Sequence, residues 1–287
     1  MKGKNFKINI DKLTLCYIAS NEIVSDLEDT IEREEDGFRI ERLNVRGATN
    51  ETFLGVSVID PTKNNGYKAF ARIKIGNKFE SKSESNRYLW ITLENNVFYG
   101  YSKYCNELSY IYYIADTLNL KFNNVTEIHI ALNSNINWFI KVKKAIRNMK
   151  LTPIILNKKY LSEKEIIDKV KYIHTGDRMK YRTNTLVIKN ADKDMEICLY
   201  NKTDEINESG KKYIKKDFGK DTNIYRNEVR IKRSALKDYL QCRGISWEDF
   251  YSKILDFNFL FDVFCYYQQK IIRFVNKERK QITLLDL

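Results

Sequence analysis

The sequence predicts an α+β fold whose core is an antiparallel sheet with helices packed on one face. Short runs of alternating apolar and polar residues recur along the chain, which is typical of half-buried strands. Apolar residues at helical spacing occupy a few segments between those runs. With 43% hydrophobic residues among 287, the chain can bury a core.

The first hundred residues are predicted to form mainly strands. An acidic stretch over residues 27–36 interrupts them and is predicted to be helix or loop. The last strand segment is predicted to be a hairpin that turns at Glu94-Asn95-Asn96. The segments with strand-like alternation are FKINIDKLTLCYI, FLGVSVID, YKAFARIKIG and RYLWITLENNVFYG.

The next segments give a β-β-α-β-α order. Residues 107–120 carry apolar side chains at helical spacing, and residues 125–135 alternate as a strand does. Residues 136–150 are predicted to form a basic amphipathic helix that ends before Pro153, because a proline disfavours helix at the residue before it.

Strands and helices also alternate in the second half. Ser162 with Glu165 is a capping-box pattern for a helix that reaches about Ile173. A basic insert, residues 208–221, precedes the last strand. The predicted strands are residues 184–189, 195–201 and 223–232.

The chain is predicted to become helical from Ser234 onward. Ser246 with Asp249 indicates a helix N-cap, and FNFLFDVFCYYQQKIIRFVNKERK is predicted to be a long aromatic helix with a basic end.

Two domains are expected from this order. Residues 1–233 contain the mixed strands and helices, and residues 234–287 form a helical C-terminal extension. Two β-α-β halves, about 1–152 and 153–233, would divide the first domain further.

Composition favours a nucleic acid as the binding partner and argues against a secreted, disulfide-bonded or membrane-spanning protein. The formal net charge of +12 favours a polyanionic partner, and the 19 tyrosines and 15 phenylalanines offer rings on which single-stranded bases stack. The five scattered cysteines lack a CxxC pattern, which is typical of reduced thiols in an intracellular protein. Because no signal peptide or membrane-length apolar run is found, we expect a cytoplasmic protein without a membrane partner.

Three predicted strands each have one polar face, because alternate side chains of a strand point the same way. If the strands are neighbours, their polar faces combine donors for a divalent cation, arginines that stabilise phosphoryl charge and a tyrosine that can form a covalent intermediate. An antiparallel sheet with one wet face shows the same alternation without any chemistry. The polar sets are Glu127, His129, Ala131 and Asn133; Glu196, Cys198, Tyr200 and Lys202; and Arg226, Glu228 and Arg230.

Five stretches, IDKLTLCY, VTEIHIALNSN, TNTLVIKN, EICLYNKTDEI and YRNEVRIK, come in a characteristic order and approximate spacing. In them the sequence resembles the rolling-circle replication initiators of plasmids and phages, most closely the replication initiation factor group that includes the gene II/X-like proteins of filamentous phages. The resemblance covers roughly residues 10–235. Its most specific parts are the Tyr-Asn-Lys followed by an acidic residue and the Arg-x-Glu-x-Arg strand.

The resemblance implies an HUH-related, site-specific nicking and joining endonuclease in residues 1–233. Such proteins cleave one DNA strand with a tyrosine, leave a 5′-phosphotyrosine and a free 3′-hydroxyl, and need a divalent metal such as Mg²⁺ or Mn²⁺. Tyr200 matches the nucleophile position, and Lys202 and Arg226 would balance phosphate charge. Expected partners are single-stranded or hairpin origin DNA and a host helicase in the bacterial cytoplasm, with monomer and homodimer both open.

The metal-binding strand departs from the family pattern. His129 stands where an aspartate is common, and Asn133 stands where a second one is common. Two alternatives follow. Either Glu127, His129 and Glu228, with Asn133, form a variant metal site, or the protein is a catalytically silent DNA-binding protein that keeps the fold.

Clusters of basic residues are candidates for a DNA-binding surface, although each cluster alone is typical of ordinary solvated surface. The candidate DNA-binding residues are Lys141, Lys143, Lys144, Arg147, Lys211, Lys212, Lys215, Lys216 and Arg230.

Overall fold

The computed structural model divides into two compact units. Unit 1 comprises Met1–Ile10, His129–Cys242 and Lys253–Leu287, and unit 2 comprises Asp11–Ile128 and Arg243–Ser252. Each unit joins segments distant in sequence, whereas the predicted domains are contiguous ranges; that division stays a prediction. The described residues are 6–46, 51–59, 66–76, 85–99, 107–147, 151–159, 171–175, 182–190, 192–209, 215, 218 and 222–287.

The strands of the described residues are named β1 to β15 in chain order. They are Phe6–Ser20, Glu32–Glu35, Phe38–Arg42, Thr52–Ile59, Tyr67–Ile75, Asn86–Leu93, Lys121–Ser134, Thr152–Ile155, Lys158–Lys159, Lys171–Thr175, Arg182–Lys189, Met195–Asn201, Tyr225–Lys232, Ile272–Val275 and Gln281–Ile282.

The predicted antiparallel α+β class is confirmed within each unit. The strand order of unit 2 is β7-β1-β6-β5-β4-β3-β2, and its register is antiparallel from β1 to β2. Unit 1 has the order β10-β11-β12-β13-β7, with antiparallel register from β10 to β13, and a small sheet, β15-β14-β8-β9.

The α-helices of the described residues number seven and are named α1 to α7 in chain order. None of them is long and apolar enough to cross a membrane. In unit 1, α3 lies against β11, β12 and β13, and α7 lies against β12, β13 and β14. The helices are Asn21–Asp29, Glu107–Thr117, Trp138–Arg147, Lys202–Ser209, Arg233–Arg243, Trp247–Lys253 and Phe257–Ile271.

Local sequence signals set where several helices begin. The Ser246 hydroxyl accepts a hydrogen bond from Asp249 N at 2.9 Å, so the predicted N-cap of α6 is confirmed. Asp256 caps α7 in the same way through Phe259 N at 2.8 Å. The aromatic side of α7 is core, since Phe264 and Tyr267 are fully buried.

The predicted hairpin at Glu94-Asn95-Asn96 is wrong. Strand β6 ends at Leu93 and is followed by a 3₁₀ turn rather than a second strand. The reason is a long-range contact, because Asn95 Nδ2 donates to both the main-chain and side-chain oxygens of Asp11. These bonds hold the turn against β1.

The acidic stretch 27–36 contains a strand that sequence analysis missed. Helix α1 ends within this stretch, at Asp29. Residues Glu32–Glu35 then form the edge strand β2, which pairs with β3. An edge strand made almost entirely of charged residues lacks the apolar alternation by which strands are recognised. Cross-strand pairing of Arg39 with Glu32, 3.2 Å apart, supports it.

Two predicted helices differ from the structure at their C-terminal ends. The helix predicted from Ser162 lies mostly outside the described residues, but its last part falls on strand β10, Lys171–Thr175. Helix α7 ends at Ile271, where the C-cap residue Ile272 turns extended. Residues Ile272–Val275, two of which are β-branched, form β14, which pairs with β8, so the C-terminal extension contains strands besides helices.

Candidate functional site

The candidate site lies on strands β12 and β13 of unit 1. Their antiparallel register places Tyr200 opposite Arg226 and Cys198 opposite Glu228. Apolar neighbours such as Ile197 alternate with these side chains and are buried. The predicted alternation therefore brings two of the three polar sets onto adjacent strands, with β7 next to β13.

The Tyr200 hydroxyl lies between a carboxylate and a guanidinium group. It donates a hydrogen bond to Glu228 Oε2 at 3.0 Å, and Arg226 Nη1 donates to it at 3.4 Å. The Tyr200 ring is half-buried, with the Lys202 Nζ and Arg226 Cζ atoms 5.6 and 5.9 Å from its centroid. Hydrogen bonds thus hold the hydroxyl close to positively charged groups, while the ring keeps partial access to solvent.

Glu228 is the centre of the site. Its side chain is 1% exposed, and His129 Nδ1 lies 3.2 Å from Oε1. Arg230 Nε donates to the same oxygen at 2.7 Å, and Arg226 Nη1 lies 3.9 Å from Oε2. Burial by itself raises the pKa of Glu228, but the hydrogen bond with His129 and the charges of Arg230 and Arg226 together hold that pKa well below its ordinary value. Glu228 is therefore an ionised carboxylate at neutral pH.

Asn133 positions the guanidinium group of Arg226. Its Oδ1 accepts a hydrogen bond from Arg226 Nε at 2.8 Å, and both side chains are almost completely buried. A planar guanidinium held at one edge keeps a fixed direction toward its other partners. Asn133 therefore contributes to the site through Arg226.

Arg230 joins Glu228 to a second carboxylate on the sheet. Its Nη1 donates to Glu196 Oε1 at 3.0 Å, and Glu196 also pairs with Lys189. Burial lowers the pKa of Arg230, but the charge of Glu228 outweighs burial and raises it. Because the Arg230 side chain is 37% exposed, it can meet a ligand from solvent.

Cys198 is not set up to act as a nucleophile. Burial raises the pKa of this thiol to about 12, with the charge of Arg230 acting against that shift. A thiol with that pKa is protonated at neutral pH, and the thiolate is the reactive form of cysteine.

Lys202 is buried, and its ammonium group pairs with a residue that sequence analysis missed. The strand ends at Asn201, so Lys202 is the first residue of α4, where Nζ donates to Glu205 Oε1 at 2.6 Å. The spacing i,i+3 identifies this partner once the helix start is known. Glu205 thus balances a lysine that is only 2% exposed.

The predicted metal ligands have partners within the chain. In unit 2, Glu127 Oε2 pairs with Lys12 Nζ at 2.6 Å, and in unit 1, His129 Nδ1 lies 3.2 Å from Glu228 Oε1. Within the described part of the chain, no group of three or more His, Cys, Asp or Glu residues is arranged to hold a metal ion.

The residues around Glu228 do not fit a divalent cation. Arg230 occupies Oε1 and Tyr200 occupies Oε2, while the Asn133 oxygen accepts from Arg226. A divalent cation needs several oxygen ligands, and here the candidate oxygens face guanidinium groups of the chain itself.

Four of the candidate DNA-binding residues lie on α3. Lys144 and Arg147 are exposed, and Lys143 Nζ lies 5.8 Å from the centroid of the Phe139 ring. Lys141 is half-buried on the same helix, and Lys215 donates to Asn207 Oδ1 at 3.0 Å. Lys211, Lys212 and Lys216 lie outside the described residues.

The fold is similar to that of the rolling circle replication initiator protein from Geobacillus stearothermophilus. The TM-score is 0.53, the sequence identity is 12%, and the match covers 95% of this chain and 88% of that chain. No protein-family model and no curated protein matches the sequence. The resemblance inferred from the sequence motifs is thus confirmed at the level of the fold.

Proposed function

We propose that this chain is a replication initiator of a plasmid or phage that binds DNA and cleaves one strand at an origin with Tyr200. The observation that carries the proposal is the Tyr200 hydroxyl, held between Glu228 and Arg226 on a half-buried ring. The likeness of the fold to a rolling circle initiator supports the role in replication. The product would be a 5′-phosphotyrosine and a free 3′-hydroxyl in a bacterial cytoplasm.

Each residue of the site has a role in this proposal. Glu228 orients the Tyr200 hydroxyl through the hydrogen bond that it accepts, and Arg226 faces the same oxygen atom. Arg230 and the exposed cations of α3 would contact the phosphates of the bound strand. The Lys202 ammonium group, paired with Glu205, lies beside the tyrosine ring.

A second candidate function is DNA binding without cleavage. It is favoured by the engagement of the predicted metal-ligating carboxylates, Glu127 with Lys12 and Glu228 with Arg230. A protein of this kind would keep the basic face of α3 and bind single strands in a salt-dependent way.

Covalent trapping separates the two functions. Single-stranded DNA of randomised sequence, labelled at its 3′ end, is incubated with the protein in Mg²⁺ or Mn²⁺ and run on a denaturing gel. We expect a labelled protein band that Tyr200→Phe abolishes. The matched control is Tyr225→Phe, a half-buried tyrosine on β13. Salt-sensitive DNA binding without any labelled band would support the silent protein instead.

A further inference from the structure

Positively charged side chains surround the carboxylate of Glu228, which is one of the predicted metal ligands. Each carboxylate oxygen of Glu228 already has a partner within 3.0 Å, Arg230 on Oε1 and Tyr200 on Oε2. The Arg226 guanidinium group lies close behind Oε2, at 3.9 Å. A divalent cation placed here would meet two fixed positive charges at short range, where Coulomb repulsion is strong.

We propose that Arg226 and Arg230 stabilise the charge that develops on the transferred phosphoryl group, so that strand cleavage by Tyr200 needs no divalent cation. The inference rests on the proposed function. It assigns to two guanidinium groups the charge stabilisation that a metal would otherwise provide.

Both arginines are held in place before any DNA binds. Asn133 fixes Arg226 through Nε, while Glu228 and Glu196 fix Arg230 through Nε and Nη1. Donors that need no reorganisation at the moment of reaction stabilise a transition state most effectively. A guanidinium group can also donate two parallel hydrogen bonds to two phosphate oxygens, whereas an ammonium group acts as a point charge.

The two arginines differ in their access to the strand. Arg226 is fully buried and lies 3.4 Å from the oxygen atom that would bond to phosphorus. Arg230 is 37% exposed and lies on the other side of the same carboxylate. Arg226 would therefore act close to the nucleophile, and Arg230 would contact the phosphate from the solvent side.

The cleavage step balances without another reactant. The Tyr200 oxygen forms a bond to phosphorus as the bond from phosphorus to the 3′ oxygen breaks. The phenolic proton leaves to water and the 3′ oxygen takes a proton from water, while Glu228 Oε2 orients the Tyr200 hydroxyl through the hydrogen bond that it accepts. The reverse reaction, attack by the 3′-hydroxyl, rejoins the strand.

The test is the covalent-trapping assay run with excess EDTA and, in parallel, with Mg²⁺ or Mn²⁺. We expect the same amount of Tyr200-dependent adduct in every arm. In EDTA, Arg230→Gln should slow adduct formation by about 10²-fold, the usual effect of removing one charge-stabilising donor. The matched control is Lys232→Gln, which removes an exposed cation from the same strand and should leave the rate unchanged.

A second variant separates charge from folding. Arg230→Lys keeps the positive charge and should recover part of the rate that Arg230→Gln loses, and far-UV circular dichroism checks that both variants fold. In addition, Mn²⁺ should leave the thermal unfolding midpoint of the wild-type protein unchanged, because a ligand of the folded state would raise it.

The outcomes distinguish the inference from the function on which it rests. Adduct that forms only with Mg²⁺ or Mn²⁺ overturns the inference and leaves the role of Tyr200 standing. Adduct absent from every arm overturns both. An Arg230→Gln protein as fast as wild type in EDTA, or a midpoint raised by Mn²⁺, also contradicts the inference.

Discussion

Asn133 and Arg226 are joined by a hydrogen bond of 2.8 Å between two buried side chains, one on β7 and one on β13. The bond links the strand that carries His129 to the strand that carries Glu228. Asn133, one of the two predicted departures from the metal-binding pattern, therefore accepts a hydrogen bond from a guanidinium group. Removing it is a direct test of whether Arg226 depends on that support.

Asn133→Ala should destabilise unit 1 and slow cleavage together. The change leaves Arg226 Nε buried without its acceptor, and an unsatisfied buried donor lowers the free energy of unfolding by about 1–3 kcal/mol. Urea unfolding measures the loss. The control is Asn207→Ala, an exposed amide bonded to Lys215, for which we expect a change within about 0.5 kcal/mol. Equal values for the two variants would show that Arg226 finds another partner.

Glu228→Gln should flatten the pH dependence of stability on the acid side. Because the folded-state pKa of Glu228 is lowered, its contribution is present above the unfolded value of about 4.3 and is lost as pH falls toward the lower folded value. Below about pH 4.3 the wild-type free energy of unfolding should fall more steeply than that of Glu228→Gln. Urea titrations from neutral pH to about pH 3 give both slopes. Glu208→Gln, an exposed carboxylate on α4, should keep the wild-type slope; parallel wild-type and Glu228→Gln curves would contradict the prediction.

Gly37→Ala should destabilise unit 2 more than Gly244→Ala does. Both glycines have a positive φ, +84° and +64°, which costs a residue with a side chain about 1–2 kcal/mol. Only at Gly37 would the added Cβ meet another atom, the Tyr110 hydroxyl at 2.9 Å, whose bond to Gly37 O would also be disturbed. No atom lies within 4 Å of a Cβ added at Gly244, so Gly244→Ala measures the cost of the backbone conformation alone. Chemical unfolding of both variants measures the difference, which should vanish if Tyr110 moves aside freely.

Strand alternation predicted the candidate site better than it predicted the sheet edge. Period-two patterning placed Tyr200, Arg226 and Glu228 on the polar faces of their strands, and the register of β12 and β13 brings them together. The patterning did not predict that Arg226 and Glu228 would be buried there. Strand β2, Glu32–Glu35, carries no such pattern, since an edge strand is stabilised by cross-strand charges rather than burial.

The sequence could not predict which side chains of the site form hydrogen bonds or ion pairs with one another. Alternation places Asn133 and Arg226 on polar faces, but it does not say that an amide would bond a guanidinium rather than a metal. The pairing of Glu127 with Lys12 likewise depends on a contact between residues 115 positions apart. Lys202 was predicted as a strand residue beside the tyrosine, and its bond to Glu205 requires the helix that begins there.

Removing two exposed cations from α3 should weaken DNA binding in a salt-dependent way. If Lys144 and Arg147 contact phosphates as proposed, Lys144→Gln combined with Arg147→Gln removes two such contacts. The slope of log affinity against log salt should then become shallower by about 1.4 for single-stranded DNA. Fluorescence anisotropy over a salt series measures the slope. The control combines Lys232→Gln with Lys237→Gln, which removes the same charge from exposed positions of β13 and α5. Because net charge changes equally in both proteins, a shallower slope in the α3 variant alone locates the phosphate contacts on that helix, and equal slopes would place them elsewhere.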